Sequence, residues 1–331
     1  MLPARSAAQP GRVPDRRPIG EIEFFGYKGL DVARIHAALP FHEGDLFPPQ
    51  NADDDPASRI NQSIRETLGR DATDVNIVCC DGRQFFMIYI GLPGASSRVV
   101  ALNRAPAGPA RLPADIMKLN EQLVDAWMKA VFRGNATEDG SQGFSLFADP
   151  DARAIQLKLR SYAPNHERDI RRVLATSADA PHRAAAAMTL GYARASVTQV
   201  NALVDACFDV DATVRNNAVR ALDVLFEARG DLAKRVRIDR FIPLLTSGQW
   251  SDHNKVIHLV EILTRPRNPQ VLASIRAGAL ENLVEMARWR SEHSWDARLV
   301  LGRVAGIDET RLQELTHQGP VDEIISAALA H

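Results

Sequence analysis

A pattern of twelve residues occurs twice in this chain. Asp179-Ala180-x-x-Arg183-x-x-Ala186-x-x-x-Leu190 returns as Asp211-Ala212-x-x-Arg215-x-x-Ala218-x-x-x-Leu222, an offset of 32 residues. Self-similarity at this period is the mark of a supersecondary unit that cannot bury its apolar face alone and must stack on a neighbour. Within the second copy Val214, Ala218, Ala221, Leu222 and Leu225 share one helical face, and Asp211 is a good N-cap. The segment before it sets Val200, Leu203, Val204, Cys207 and Phe208 on a second amphipathic face. The two together predict a helical hairpin joined by a short acidic turn.

Looser copies follow. Ser251, Lys255 and Ile262 take the cap, basic and last apolar places at an offset of 40; Ser294, Arg298, Leu301 and Ala305 do so at 43. A weaker copy starts at Asp149 with Arg153, but Gln156 and Arg160 interrupt its apolar face. First helices are predicted from Ile170, Val173 and Leu174, from Phe241, Ile242, Leu244 and Leu245, and from Ala279, Leu280, Leu283, Val284 and Met286. Repeats of this length with two helices each imply an α-solenoid. One detail runs against simple electrostatics. A cation is unfavourable at a helix N-terminus, where unpaired N–H groups already make the end positive. Arg183, Arg215, Lys255 and Arg298 all stand in that place, paired in the pattern with caps Asp179, Asp211, Ser251 and Ser294. The expectation is that each base pairs with the acidic turn of an adjacent repeat.

The acidic turn, the "VR" and the alanine-rich second helix of "DVDATVRNNAVRAL" resemble HEAT repeats, over about Asn165 to the C-terminus. That resemblance implies a binding scaffold; a few HEAT-like proteins are lyase-type or base-excision enzymes.

The N-terminal third reads differently. "IGEIEFFGY" alternates, with Ile22 and Phe24 on one face and Glu21 and Glu23 on the other, a half-buried strand. Asp31 caps a short helix bearing Val32, Ile35 and Leu39. Asp55 and Pro56 open a second with Ile60, Ile64 and Leu68. "DVNIVCC" and "RQFFMIYIGL" flank Asp81-Gly82, a hairpin signal. The order is β-α-α-β-β. With "I-x-x-I-x-F-x-G" and "L-P-F-x-x-G-D" it resembles a POTRA domain over about Ile19–Leu92, which implies a docking module that binds another chain at a sheet edge.

The organisation expected is a disordered basic tail over 1–18, a POTRA-like α+β domain over 19–103, a linker and capping helices over 104–164, and HEAT-like helical repeats over 165–331. "GNATEDGSQG" reads as a flexible loop.

Little chemistry is spelled out. No G-x-G-x-x-G, Walker A or G-x-S-x-G string occurs. His36 and His42, or His253 and His258, do not share a helix face, so neither a metal nor a cofactor is expected. The acidic run Asp53–Asp55 reads as a loop ending in an N-cap. "KRVRIDR" (Lys234–Arg240) is the densest basic cluster, but 21 Lys/Arg balance 21 Asp/Glu from Asn165 onward, which argues against nucleic acid and for a solvated inter-helix face. Cys79, Cys80 and Cys207 are expected as unlinked thiols, since adjacent cysteines rarely meet disulfide geometry. No apolar run reaches the ~20 residues of a membrane span. The sequence reads as cytoplasmic as it stands, and as periplasmic or envelope if a signal precedes it.

The reading that results is a non-enzymatic scaffold for a protein or peptide partner. Its candidate interaction surface is Asn216, Asn217, Arg220, Trp250 and Trp289, exposed helix positions and aromatic anchors. The alternatives are an envelope or secretion-complex subunit, and a HEAT-like lyase or nucleic-acid-acting enzyme. The latter needs an isolated carboxylate or cation beside aromatics in a groove.

Overall fold

The computed structural model describes residues 17–48 and 55–330. The expected basic tail thus lies outside the described residues except for Arg17 and Pro18, and of the acidic run only Asp55 is described. In chain order the elements are β1 (Ile19–Phe25), α1 (Val32–Ala37), α2 (Pro56–Leu68), β2 (Asp74–Cys79), β3 (Phe86–Gly91), α3 (Ala114–Phe132), β4 (Glu138–Asp139), β5 (Leu146–Phe147) and α4 (Pro150–Thr176). There follow α5 (Ala180–Leu190), α6 (Val197–Ala206), α7 (Ala212–Ala228), α8 (Gly230–Ala233), α9 (Ile242–Leu245), α10 (Trp250–Thr264), α11 (Pro269–Ala287), α12 (Ser294–Val304), α13 (Glu309–Gln318) and α14 (Val321–Ala330). The protein is mostly helical with a small sheet near its N-terminus. Two compact units divide it. One holds Ala101–Arg240 and His258–Arg265; the other holds the described residues up to Val100, Phe241–Ile257 and the described residues from Pro266 on.

In the unit that contains the sheet, the strand order is β1-β3-β2, with β1 parallel and β2 antiparallel to β3. The caps read from sequence form as expected: Asp31 accepts from Arg34 N, and Asp55 from Ala57 N and Ser58 N. Helices α1 and α2 cover one face, where Ile22, Phe24, Ile35, Ile60, Ile64, Ile88 and Ile90 form the core. The opposite face is not polar, as the alternation had suggested. Phe25 and Tyr89 are fully enclosed there, and Glu23 is buried with them. The near-continuous apolar run of β3 is the physical reason, for a central strand covered on both sides has no wet face to mark.

What covers the second face comes from far along the chain. Tyr89 stacks on Trp250 with ring centroids 3.6 Å apart. Trp289 Nε1 donates to the Phe24 carbonyl at 2.8 Å. Glu285 accepts from Gly26 N at 2.7 Å, Tyr27 N at 3.1 Å and Ser96 Oγ at 2.5 Å. Gly26 holds φ +70°, and a Cβ there would sit 2.6 Å from the Leu92 carbonyl, so only glycine presents its N–H to Glu285 in this way.

Two local expectations are corrected in this unit. Residues 80–85 between β2 and β3 make a longer loop than a two-residue turn; the Asp81 carboxylate organises it, accepting from Arg83 N at 2.9 Å and Phe85 N at 2.8 Å. Cys79 and Cys80 are not separate thiols but are joined by a disulfide, whereas Cys207, in the other unit, is buried and forms no disulfide, as expected.

The other unit is built of helical hairpins. α4 packs on α5 and α6 on α7; α5 lies against α7, and α4 against α6. Residues 150–176 form one helix of 27 residues, so Asn165 lies within a continuous element and Pro164 inside a helix. Gln156 and Arg160, which interrupt the apolar face in sequence, are tied down. Gln156 accepts from Phe147 N at 2.7 Å and donates to Ser145 Oγ at 3.0 Å. Arg160 Nη1 donates to the carbonyls of Tyr192 and Ala193. The stretch expected as a flexible loop contains β4, which pairs with β5 just beyond it.

Candidate functional site

The misplaced bases come first, because they fix where the helices stand. Asp149, Asp179 and Asp211 are N-caps of α4, α5 and α7. In each case the arginine four residues on turns back across the cap. Arg153 Nη1 donates to Phe147 O at 3.4 Å, Arg183 Nη1 to Ser177 O at 3.0 Å, and Arg215 Nη1 to Asp209 O at 3.0 Å, always six residues upstream. Carbonyls of a turn that closes a preceding element are electron-rich and short of donors, so a cation is favoured there. Arg183 also forms the expected cross-repeat pair, a two-pronged contact with Asp209. Arg298 does the equivalent task in the other unit, donating from Nε to Ala287 O and from Nη2 to Trp289 O at 3.0 Å each.

The looser copies are out of step with their predicted caps. α10 begins at Trp250, so Ser251 is already inside it, with Lys255 one turn on; α12 begins at Ser294 itself, whose hydroxyl donates to Ser291 O. Near the start of α10 the hydroxyl of Ser247 performs the polar work, accepting from Gln249 N and donating to Asp252.

The candidate contact residues are mostly interior. Asn216 and Asn217 are buried, and Asn217 Nδ2 donates to Ala184 O at 3.0 Å across the α5–α7 contact. α7 is flanked by both α5 and α6, so positions that a lone hairpin would expose are covered. Trp250 and Trp289 are 1% and 2% exposed. They anchor the sheet's second face and are closed to a partner. Trp295, 41% exposed and edge-on to His317, is the tryptophan left at the surface.

Arg220 is half-buried. Its guanidinium pairs with Glu138 on β4, donates to Ser145 Oγ at 3.3 Å, and lies 5.5 Å from the Phe147 ring. It borders a cleft with Asn217, Tyr192, Phe144 and Val224, whose enclosed volume is about 20 Å³. That is room for about one water-sized group. The Tyr192 hydroxyl points into it, with Gln156 and Ser145 near but outside hydrogen-bond geometry. The basic cluster is spent locally: Arg237 pairs with Asp239 and Arg240 lies over the Phe208 ring.

The sheet edges differ from one another. The outer edge of β1 is covered at its first residue by the loop after α1: Ile19 N donates to Asp45 O and Gly44 N to Ile19 O, both at 2.8 Å. On the outer side of β2, no backbone–backbone hydrogen bond from another described residue reaches Asp74–Cys79, although Trp250 N donates to the Asp74 carboxylate at 2.7 Å. Val75 and Ile77 on this strand are half-buried against the core, and Asn76 points the other way, donating to Asp74 Oδ2. Natural edge strands are commonly guarded by lysine, proline or a bulge. From Val75 to Cys79 this strand has neither lysine nor proline, and its register with β3 is unbroken.

Electrostatics concentrate beneath the sheet's second face. Burial raises the Glu23 carboxyl to about 7, although the N–H groups of Arg290 and Ser291 both donate to it. Burial lowers the His293 imidazole to about 4; its Nδ1 lies 2.8 Å from the Tyr89 hydroxyl. Burial likewise raises Glu285. Their partners are backbone groups and each other's neighbours, which makes them fasteners of the fold.

No protein-family model matches this chain, and no curated protein matches it in sequence.

Proposed function

We propose that this chain is a non-enzymatic protein-interaction scaffold that captures an extended segment of a partner by strand addition at the outer edge of β2. The single observation that supports this reading is the outer edge of β2, which has no backbone–backbone hydrogen bond to another described residue, while the edge of β1 is closed at its start by the chain's own loop. An extended peptide laid along β2 gains main-chain hydrogen bonds for affinity, and side chains at alternate positions give specificity. The partner class is a protein segment rich in β-branched or aromatic residues at alternate positions. The helical hairpins add a rigid frame and a second surface, in keeping with the HEAT-like pattern. The resemblance of residues 19–92 to POTRA domains points to the same mode of docking. The expected compartment stays tied to whether a signal precedes this sequence.

The test uses the full chain and a displayed library of short random peptides. Selected sequences are expected to alternate apolar and polar residues. Methylating the backbone nitrogens of a selected peptide one at a time is expected to abolish binding at every second position and to be tolerated between. A tolerance pattern with a three-to-four residue period would mean a helix seated in a groove, and would overturn strand addition.

A further inference from the structure

Cys79 and Cys80 close a disulfide between chain neighbours, at the last residue of β2. In the chain-entropy account a disulfide stabilises a fold by restricting the unfolded chain, and the effect grows with the number of residues enclosed. Neighbours enclose none, so this bond adds almost nothing of that kind. The loop around it is held independently by the Asp81 carboxylate and by Gln84 N donating to Asp81 O at 2.9 Å. A bond without a structural task invites a chemical one.

Two further observations specify that task. Both cysteines are half-buried, whereas Cys207 is fully buried. A cation is also built against the pair. Arg17 Nη1 lies 3.3 Å from Cys80 Sγ and 4.0 Å from Cys79 Sγ, and is steadied by Gln84 Oε1 at 2.8 Å. A guanidinium beside sulfur favours the thiolate over the thiol, and a better-stabilised thiolate leaves faster in exchange.

We propose that Cys79–Cys80 is a thiol-exchange site, a reversible two-electron couple worked by small thiols and their disulfides. A thiolate attacks Cys79 Sγ. The Cys79–Cys80 bond breaks as the new sulfur–sulfur bond forms, and the electron pair leaves on Cys80 Sγ, facing Arg17. A second thiolate then attacks the external sulfur of the mixed disulfide and frees Cys79. The two reducing thiols end as one disulfide, their two electrons reside on the cysteine pair, and their two protons complete the balance. A small disulfide such as oxidised glutathione runs the sequence backwards. The nearer approach of Arg17 to Cys80 makes Cys80 the leaving group and Cys79 the sulfur attacked.

The experiment takes the full native chain, treats it with reduced glutathione, quenches with N-ethylmaleimide at intervals, and reads the peptide containing Cys79 and Cys80 by mass spectrometry. The untreated pair is expected to take no label. It should take two labels after reduction and lose that reactivity on return to oxidised glutathione, while Cys207 stays unlabelled as a report of intact folding. Arg17→Gln is expected to slow reduction about three- to ten-fold with an unchanged circular dichroism melting midpoint. Full labelling before any reductant would show that no bond exists. Reduction that appears only together with Cys207 labelling would show that the bond opens by unfolding alone. Equal rates in wild type and Arg17→Gln would remove the guanidinium from the mechanism. Any of these overturns the proposal.

Discussion

Arg183 and Asp209 meet in a buried fork. Nε reaches Oδ2 at 2.7 Å and Nη2 reaches Oδ1 at 2.8 Å, with the side chains 3% and 7% exposed. Arg183 stands in the first turn of α5; Asp209 lies in the turn before α7. The fork therefore bridges two helical hairpins. The carboxylate raises the arginine's already high pKa, so the pair stays ionic. Removing one partner strands a buried charge, and Arg183→Ala is expected to lower the unfolding free energy by about 3–5 kcal/mol. Replacing both residues by apolar ones of similar volume should recover much of that loss. Urea unfolding of the two single variants and the double variant reads the coupling directly.

Arg215 is the subtler case, since it donates to carbonyls of its own turn, Asp209 O and Val210 O. Hydrogen bonds from a charged donor contribute about 1.5–3 kcal/mol. Arg215→Ala is expected to destabilise by that amount in the same urea assay, less than Arg183→Ala. An equal loss at both sites would mean that the cross-hairpin fork adds nothing beyond the shared turn contact.

These arginines also show what the sequence could and could not tell. The repeat string located α5, α7 and their caps, because capping and apolar periodicity are local. It did not reveal that the base turns back six residues, since the spacing that allows this is visible only once the turn geometry is known. The copy at Asp149 looked spoiled by Gln156 and Arg160, yet both meet partners supplied by β5 and the α5–α6 turn, which no local pattern announces. The boundary expected between residues 164 and 165 falls inside α4, which runs on through it. The sheet shows the same limit. The order of elements along the chain and the caps were legible, but Glu23 was read as solvent-facing because its cover, Trp289 to Ser291, lies more than two hundred residues away along the chain. The continuous apolar run of β3 was the one available sign. For the candidate site, Trp250 and Trp289 stood as candidate anchors although burial is the commoner fate of a tryptophan, and both seal a core.

Trp250 can be tested by truncation. Its ring is 1% exposed and stacks on Tyr89. Trp250→Ala is expected to cost about 3–5 kcal/mol, the usual range for deleting a buried aromatic. Acrylamide should quench the exposed Trp295 and, in part, the half-buried Trp127, and leave Trp250 and Trp289 nearly untouched in the folded chain. Strong quenching of all four tryptophans would contradict the burial assigned to Trp250 and Trp289.

The pH dependence carries two opposed contributions from the same face of the sheet. Glu23 titrates near 7 when folded against 4.5 ordinarily, so the folded state holds a proton that the unfolded chain has lost, and stability falls as pH rises from about 4.5 to 7. His293 titrates near 4 against 6.5, so the unfolded chain holds the extra proton, and stability falls as pH drops from about 6.5 to 4. Each shift corresponds to about 3 kcal/mol at most. Relative to wild type, Glu23→Gln should make stability rise more steeply with pH between 4.5 and 6.5, and His293→Gln should make it fall. Chemical denaturation at several pH values measures both slopes; parallel curves for all three proteins would contradict the assignment.

The central claim is that β2 offers its outer edge to an extended partner. Hydrogen–deuterium exchange of the full chain, with and without a peptide selected as described above, tests it most directly. The account expects new protection confined to amides within Asp74–Cys79, at alternate residues, with α5 and α7 unchanged. Protection that appears on α5 and α7 around Arg220 while β2 exchanges as before would contradict it.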